Sequence, residues 1–255
     1  MGDTLKRIVY PPLGIAVTIA LWHWYCVEFK VPTAVLPTPG QVLQAAIARY
    51  DLLLSEAWVT LKETLYGFAL AFALGVPIAV AVATSRTLNL TFYPILIALQ
   101  SVPKVALAPI LLVWLGTGFE SKLAIAWLVA FFPIVVDTAA GLAATPRELV
   151  ELARSLRASR LQIFTKVQFP AALPFVMAGS KVAVTLAVIG AVIGEFVGSS
   201  EGLGNLLLTA TSQVNAPLAF AALFALAGLG LLVYGAVVLI EWLLHPWLPP
   251  AAREH

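Results

Sequence analysis

The sequence has few charged side chains and a single cysteine. Only 11% of its 255 residues are charged, whereas 61% are hydrophobic and the mean hydropathy is +0.95. A soluble domain carries about 25% charged residues, so this chain lacks the side chains that would cover a water-facing surface. Cys26 can form no disulfide within the chain, and a net charge of +2 is too small to indicate nucleic-acid binding. The composition predicts an integral membrane protein.

The sequence also lacks the patterns typical of an ATPase or a metalloenzyme. No phosphate-binding loop of the form Gly-x4-Gly-Lys-Ser/Thr occurs, and residues 116–122, which resemble one in composition, have the wrong spacing. The histidines His23, His245 and His255 are too scattered to predict a metal site. No nucleophile and base are paired in a known motif. We therefore expect no catalytic residue, no metal and no cofactor in this chain.

Long apolar runs, by contrast, are abundant. A helix needs about 20 mostly apolar residues to cross the hydrocarbon core of a membrane. Six segments meet this requirement: 8–27, 61–84, 90–115, 123–144, 172–197 and 217–244. Bulky residues 22–25 end the first segment where a signal-peptide cleavage site needs small ones, so we interpret this segment as a retained span. We predict an all-α membrane protein of about six transmembrane helices, with residues 1–255 forming a single domain.

The basic residues are distributed unequally between the two sides of the membrane. With the amino terminus inside, nine of the 15 Lys and Arg residues fall in inner segments and four in outer ones. The inner nine are Lys6, Arg7, Arg86, Arg147, Arg154, Arg157, Arg160, Lys166 and Arg253. Because cytoplasmic segments are enriched in Lys and Arg, both termini are predicted to be cytosolic.

Two connections contain helical patterns of their own. In the outer connection, 29–55, a Pro-Thr-Pro-Gly turn precedes apolar residues at helical spacing between Val42 and Ile47, which predicts a short interfacial helix. In the inner connection, 145–169, Thr145-Pro146-Arg147-Glu148 has the pattern of a capping box that begins a helix. Ser159 to Gln162 repeats this pattern, and Pro170 is expected to end the second helix.

The inner connection, named here the basic loop (145–169), is thus predicted to be a basic, amphipathic helix–turn–helix. From composition alone, such a loop could equally lie on anionic lipid. Its sequence, however, resembles the EAA loop of bacterial ABC importer permeases. The signature is Glu-Ala-Ala, three residues, Gly, nine residues and Ile-x-Leu-Pro, and Glu151, Ala153, Val167 and Pro170 match its register without a gap.

Three residues depart from that signature: Leu152, Arg157 and Phe169. The family glycine, at the position of Arg157, lies between two short helices where a left-handed turn suits it. Arginine in that conformation would cost on the order of 1 kcal/mol. The departure affects the turn geometry rather than the identity of the loop.

Further motifs extend the resemblance to the nitrate/sulfonate/taurine branch over roughly residues 36–245. They occur in the same order at 36–39, 101–103, 108–111, 132–134, 170–174 and 198–204. The resemblance implies a type I importer permease whose basic loop docks on a cytosolic ATPase. By the same resemblance, the contacts with the ATPase are expected from Glu148, Glu151, Ala153, Arg154, Arg157, Arg160 and Pro170.

The resemblance also implies the rest of the assembly. The permease would form a homodimer in the bacterial inner membrane, with two ATPase subunits that bind ATP and magnesium and a periplasmic or lipid-anchored binding protein. The solute would be an organic or inorganic anion such as a sulfonate, taurine or nitrate, or a heteroaromatic that resembles a thiamine precursor. The alternative is a self-sufficient secondary transporter or channel. That class predicts an internal repeat, but residues 8–115 and 123–244 do not align.

Ionisable side chains within spans are candidates for the substrate path because charges in hydrocarbon are costly. The path candidates are Ser101, Pro103, Lys104, Asp137, Lys181 and Glu195. For Lys181 and Asp137, which lie about one turn from the inner interface, snorkelling to a head group or a mutual pair is the preferred interpretation. Lys104 follows a helix-disrupting proline, so we expect it to line the path or stabilise a broken helix. Two lysines against one aspartate slightly favour an anion.

The glycine-rich loop (198–204) follows the fifth span. Its glycines and serines disfavour a regular helix, so exposed backbone is expected there. In the family, this outer loop approaches the binding protein, which makes Gly198, Ser199, Ser200, Gly202 and Gly204 candidate contacts. An ordinary connecting loop is the simpler alternative.

Overall fold

A computed structural model describes residues 2–244 of the chain, and the side chains of residues 9–244. Eleven α-helices make up this part of the chain: α1 (Gly2–Glu28), α2 (Pro39–Ala48), α3 (Tyr50–Thr84), α4 (Arg86–Gln100), α5 (Ala108–Leu115), α6 (Phe119–Ala143), α7 (Arg147–Ser155), α8 (Arg160–Ile163), α9 (Phe169–Gly198), α10 (Leu203–Ser212) and α11 (Ala216–Leu244). A 3₁₀ turn, Lys104–Leu107, precedes α5, and a π-helical turn, Phe164–Gln168, joins α8 to α9. The side chains of Lys6 and Arg7 and the residues His245, Arg253 and His255 lie outside this description.

The prediction of an all-α membrane protein is confirmed. Among residues 2–244, four helical stretches are long and apolar enough to cross a membrane: α3, α6, the continuous run Arg160–Gly198, and α11. They correspond to the second, fourth, fifth and sixth predicted spans. The third predicted span is not one straight helix, because α4 and the segment Lys104–Leu115 meet at an angle of 88°. The first lies in α1, which has 27 residues, contains Pro11 and Pro12, and is less apolar than those four.

The centre of the bundle is formed by α3, α6 and α9, which approach closely at small residues. A Cβ atom added to Gly67 on α3 would lie 2.5 Å from the Cβ of Ala126 on α6. One added to Gly190 on α9 would lie 2.7 Å from the Cα of the same alanine. Glycine therefore permits backbone contact between these helices, as small residues commonly do in membranes.

The remaining helices surround this centre. Buried leucines and valines join α10 and α11 to α9. The amino-terminal helix α1 packs on α11 through Trp22, whose ring centroid lies 6.0 Å from those of Phe220 and Phe224. Most side chains of α1 in the described range are exposed. The helix thus lies at the edge of the bundle.

Pro170 does not end a helix, contrary to the sequence-based expectation. The helical run continues from α8 through the π-helical turn into α9, and the Phe169 amide donates to the Phe164 carbonyl five residues earlier. Proline lacks an amide hydrogen and clashes with the carbonyl four residues before it in a regular helix. The wider π-helical turn just before Pro170 breaks the regular pattern at this point.

Candidate functional site

The basic loop is folded as two short helices at one end of the bundle. The predicted capping box at Thr145 does not form: α7 begins at Arg147 with Pro146 at its N-cap, and the Thr145 hydroxyl is buried without a hydrogen-bond partner. The Thr145 amide instead donates to the Leu142 carbonyl and so closes the end of α6. The threonine thus ends the preceding helix rather than beginning the next one.

The second capping box forms as predicted. The Ser159 amide donates to the Gln162 side chain over 2.8 Å, and the Gln162 amide donates to the Ser159 hydroxyl over 3.2 Å. Arg157 connects α7 to this cap with φ of +57°. The left-handed turn that suits the family glycine is therefore present here with an arginine in it.

The surface of the basic loop combines charge with exposed leucines. Glu148, Glu151, Arg154, Arg157 and Arg160 are all exposed, whereas Ala153 and Pro170 are partly buried. Four leucines beside them remain exposed; they form the leucine patch: Leu149, Leu152, Leu156 and Leu161. In a helix that packs on its own chain, such an apolar stripe would face the core. Here the bundle leaves it uncovered.

A second feature is a cavity of about 400 Å³ beside the break between α4 and α5. It is lined by Gln100, Lys104, Val129, Phe132, Pro133, Val136, Asp137, Val182 and Leu186. The break places Lys104 and Asp137, two of the predicted path residues, in one cavity. Ser101 and Pro103 form the break itself and do not line the cavity.

Lys104 is held in place by two contacts. Its ammonium donates to the Gln100 carbonyl at the end of α4 over 2.7 Å and lies 5.1 Å from the ring centroid of Phe132. The first contact satisfies a carbonyl that the broken helix leaves without an intrahelical donor. The second is a cation–π contact. Lys104 therefore stabilises the broken helix and lines the adjacent cavity.

Lys181 does not reach this cavity. Its ammonium binds both carboxylate oxygens of Glu241 on α11, at 2.8 and 3.0 Å. The pair Lys181–Asp137, left open by the sequence, is replaced by this one. Glu241 lies within the last predicted span, and a charge at that position indicates an oppositely charged partner, which is Lys181.

Glu195 is buried at the opposite end of the bundle from the basic loop. Only 1% of its surface is exposed, and its oxygens accept hydrogen bonds from the Thr60 hydroxyl at 2.6 Å and the Gly204 amide at 2.5 Å. The glycine-rich loop folds over this carboxylate, so Gly202 and Gly204 are buried. Gly198 and Ser199 are partly buried, and Ser200 is exposed. Glu195 thus contacts protein groups rather than the cavity at Lys104.

A buried ion pair lies beside Glu195 and was missed by sequence reasoning. The Lys122 ammonium on α6 lies 3.2 Å from a carboxylate oxygen of Glu63 on α3. Glu63 falls inside the second predicted span, whereas Lys122 directly precedes the fourth predicted span, which begins at residue 123. The sequence does contain a signal for this pair. Glu63 and Lys122 carry opposite charges, and both lie at the outer ends of predicted spans.

The sequence of this chain matches the model of the family described as binding-protein-dependent transport system inner membrane component over residues 71–244. A probable ABC transporter permease protein of Haemophilus influenzae is 36% identical over 242 residues, which cover 95% of this chain and 98% of that protein. A formylaminopyrimidine transport permease protein of Halalkalibacterium halodurans is 36% identical over 238 residues, which cover 93% and 95% of the two chains.

The fold is likewise similar to a solved transporter structure. A chain of the MetNI methionine ABC transporter, determined in inward-facing conformations, superposes with a TM-score of 0.67. The alignment covers 76% of this chain and 96% of the MetNI chain, at 25% sequence identity.

Proposed function

This chain belongs to the family of inner membrane components of binding-protein-dependent transport systems, and we propose that two copies of it form the solute path of an ATP-driven importer. It is a multi-pass permease subunit of the ABC importer class and is not itself the ATPase. Permeases of this class work with an ATPase and a binding protein. Two ATPase subunits, which bind ATP and magnesium, would supply the energy, and a periplasmic or lipid-anchored binding protein would deliver the solute.

The leucine patch on the basic loop is the observation that carries this proposal. Leu156 and Leu161 are 74% and 70% exposed, on the same loop as exposed Glu151 and Arg154. An exposed apolar patch with a charged rim is typical of a protein–protein interface. The five basic residues of the loop, against two glutamates, also suit anionic lipid, and the co-purification described below distinguishes this role from ATPase binding. The loop and both termini are assigned to the cytoplasm in this proposal.

The cavity at the broken helix is proposed as this chain's part of the solute path. Of the three lysines discussed within or beside the spans, Lys122 and Lys181 are paired with carboxylates. Within the described residues Lys104 makes no ion pair. It lines the same cavity as Asp137, and its ammonium donates to the Gln100 carbonyl at the helix break. Besides apolar side chains, the path is thus lined by one cation, one carboxyl group, Gln100 and the Phe132 ring.

This set of groups favours a planar, polar heteroaromatic solute over a simple anion. Asp137 opposes the attraction that Lys104 would exert on an anion, whereas a nitrogen heterocycle can accept from an ammonium and donate to a carboxylate. The Phe132 ring adds a surface on which an aromatic solute can pack. The name of the Halalkalibacterium relative, which specifies a formylaminopyrimidine, supports the same class. Sulfonates, taurine and nitrate remain the competing solutes.

Co-purification tests the coupling assignment. The tagged chain, expressed with the ATPase subunit of its transporter, is expected to retain that subunit in detergent. Glu151→Ala and Leu152→Arg should reduce its recovery severalfold, because each removes part of the proposed interface. Arg86→Ala is the control, since it removes an exposed charged side chain outside the loop. Equal recovery from all variants would refute the assignment.

Uptake competition tests the solute class. Proteoliposomes with the complete transporter should accumulate labelled formylaminopyrimidine, and excess taurine or nitrate should not compete. Asp137→Asn should lower uptake of the heteroaromatic, because the solute loses a carboxylate to which it donates, and should raise uptake of taurine or nitrate, because a repelling charge is removed. Unchanged uptake of all three solutes would show that Asp137 does not face the path. Uptake of taurine by the wild type in preference to the pyrimidine would overturn the proposed solute class.

A further inference from the structure

The amino terminus of α10 is held by side chains from two other helices. The first amides of a helix have no partner within it. Here the Gly202 amide donates to the Glu56 carboxylate, the Leu203 amide donates to the Thr60 hydroxyl over 2.9 Å, and the Gly204 amide donates to Glu195 over 2.5 Å. Three consecutive backbone amides therefore donate hydrogen bonds to side-chain oxygens of α3 and α9.

The acceptors are themselves linked. The Thr60 hydroxyl accepts from Leu203 and donates to Glu195 over 2.6 Å, so that one hydroxyl bridges two helices and the glycine-rich loop. Thr60 and Glu195 are 0% and 1% exposed. A buried hydrogen-bond network with all its members satisfied is rigid. We call Glu56, Thr60 and Glu195 the α10 anchor.

The charges of this region favour the same arrangement. Glu63 and Glu195 are two buried carboxyl groups, and Lys122 is the one buried lysine near them. The positive end of the α10 dipole lies directly on Glu195 and Glu56 and offsets negative charge there. The helix amino terminus thus stabilises carboxyl groups that would otherwise be buried beside a single cation.

The glycines of the loop make this close contact possible. Gly202 has φ of +101°, in the region where side chains are strained, and a Cβ there would overlap the Glu195 carboxyl group. A Cβ at Gly204 would lie 2.6 Å from a carboxylate oxygen of Glu195. These two glycines therefore serve the anchor, and exposed Ser200 and Glu201 are the parts of the loop that face outward.

We propose that the α10 anchor positions the glycine-rich loop and α10 as a preformed docking surface for the binding protein. The inference rests on the proposed function, which places this end of the bundle outside and supplies the partner. A surface fixed before binding avoids the entropy cost of ordering it on contact. Loss of the anchor should therefore weaken docking while the ATPase cycle itself is retained.

The test uses the complete transporter in nanodiscs, with ATPase activity measured against the concentration of its solute-loaded binding protein. Glu195→Ala should raise the concentration for half-maximal stimulation about tenfold, which corresponds to roughly 1.4 kcal/mol, at an unchanged maximal rate. Glu195→Gln, which keeps an acceptor oxygen for Gly204, should restore most of the affinity. Glu28→Gln, at an exposed glutamate of α1 outside the anchor and the loop, is the control and should have no effect.

Hydrogen exchange of the same variants separates positioning from general destabilisation. In Glu195→Ala and in Thr60→Val, amides near the start of α10 should exchange faster than in the wild type, while those of α6 should not. Faster exchange with unaltered half-maximal stimulation would overturn the docking role, and unaltered exchange would overturn the anchor. A wild-type complex that binds its ATPase but shows no stimulation would refute the binding-protein partnership, which is part of the proposed function.

Discussion

The Lys122 ammonium lies 3.2 Å from the Glu63 carboxylate across the contact between α6 and α3, with 10% and 1% of the two side chains exposed. Removing one member of a buried pair leaves an unpaired charge and costs about 3–5 kcal/mol, whereas replacing both is often nearly neutral. The pair therefore predicts strong coupling between the two positions.

We expect Lys122→Met to lower the melting temperature of the detergent-solubilised protein by several degrees. The double variant Lys122→Met/Glu63→Gln should recover most of that loss, because no unpaired charge remains at this pair. Lys62→Met, at an exposed neighbouring lysine, is the control. Equal losses in the single and double variants would contradict the interpretation that the two charges compensate each other.

Replacement of Arg157, which has a φ of +57°, by glycine is expected to stabilise the basic loop. A residue other than glycine in the left-handed region costs about 1–2 kcal/mol. Glycine removes this strain, but part of the gain is offset because glycine loses more backbone entropy when the chain folds. Arg157→Gly should therefore stabilise the basic loop by up to about 1 kcal/mol, seen as slower amide exchange in α7 and α8. Arg157→Ala removes the charge but keeps the strain. If alanine and glycine protect the loop equally, backbone strain at residue 157 is not the cause.

The contact of Gly190 with Ala126 predicts sensitivity to a single methyl group. A Cβ at Gly190 would be only 2.7 Å from a backbone atom of α6, so Gly190→Ala must separate α6 from α9. Overpacking of this kind costs about 1–3 kcal/mol, measurable as a lower melting temperature. Gly228→Ala on α11 is the control because no atom lies within 4 Å of its added Cβ. An unchanged melting temperature in Gly190→Ala would show that α6 and α9 can move apart without loss of stability.

The two lysines of the predicted path should differ in function. The Lys181 ammonium lies 2.8 Å from a Glu241 carboxylate oxygen, so its charge is already neutralised, and Lys181 does not line the cavity at Lys104. Lys181→Met should leave the KM of uptake unchanged, whereas Lys104→Met should raise it severalfold. Initial rates in proteoliposomes, normalised to reconstituted protein, measure both. A larger effect of Lys181→Met would place the solute path on the α9–α11 side.

Local patterns in the sequence predict several features of this molecule. Hydropathy identifies the helices that cross the membrane, and the capping box at Ser159 depends only on residues three apart. Ser101-Val-Pro103 marks the break in the third span, because proline cannot continue the hydrogen bonds of a helix. Each of these features is determined by a short segment and its own backbone.

Contacts between distant helices could not be predicted in the same way. Glu195 and Thr60 are 135 positions apart, and their bond exists only because the glycines of α3 and α9 allow both helices to pack on α6. At Thr145 the local pattern predicts a helix cap that does not form. The residue instead belongs to the turn that ends α6, because its amide donates to the Leu142 carbonyl. The apolar side of α7 was foreseen, but its exposure depends on where the bundle ends.

In the proposed importer, this chain conducts solute only when a separate ATPase drives it. Uptake should be measured in proteoliposomes that contain the chain alone, with the ATPase subunit, and with both the ATPase and the binding protein. We expect accumulation of labelled formylaminopyrimidine only in the last of these, only with ATP inside the compartment that holds the ATPase, and with no response to an imposed ion gradient. Accumulation by the chain alone, driven by a proton or sodium gradient, would mean that the protein is a secondary transporter instead.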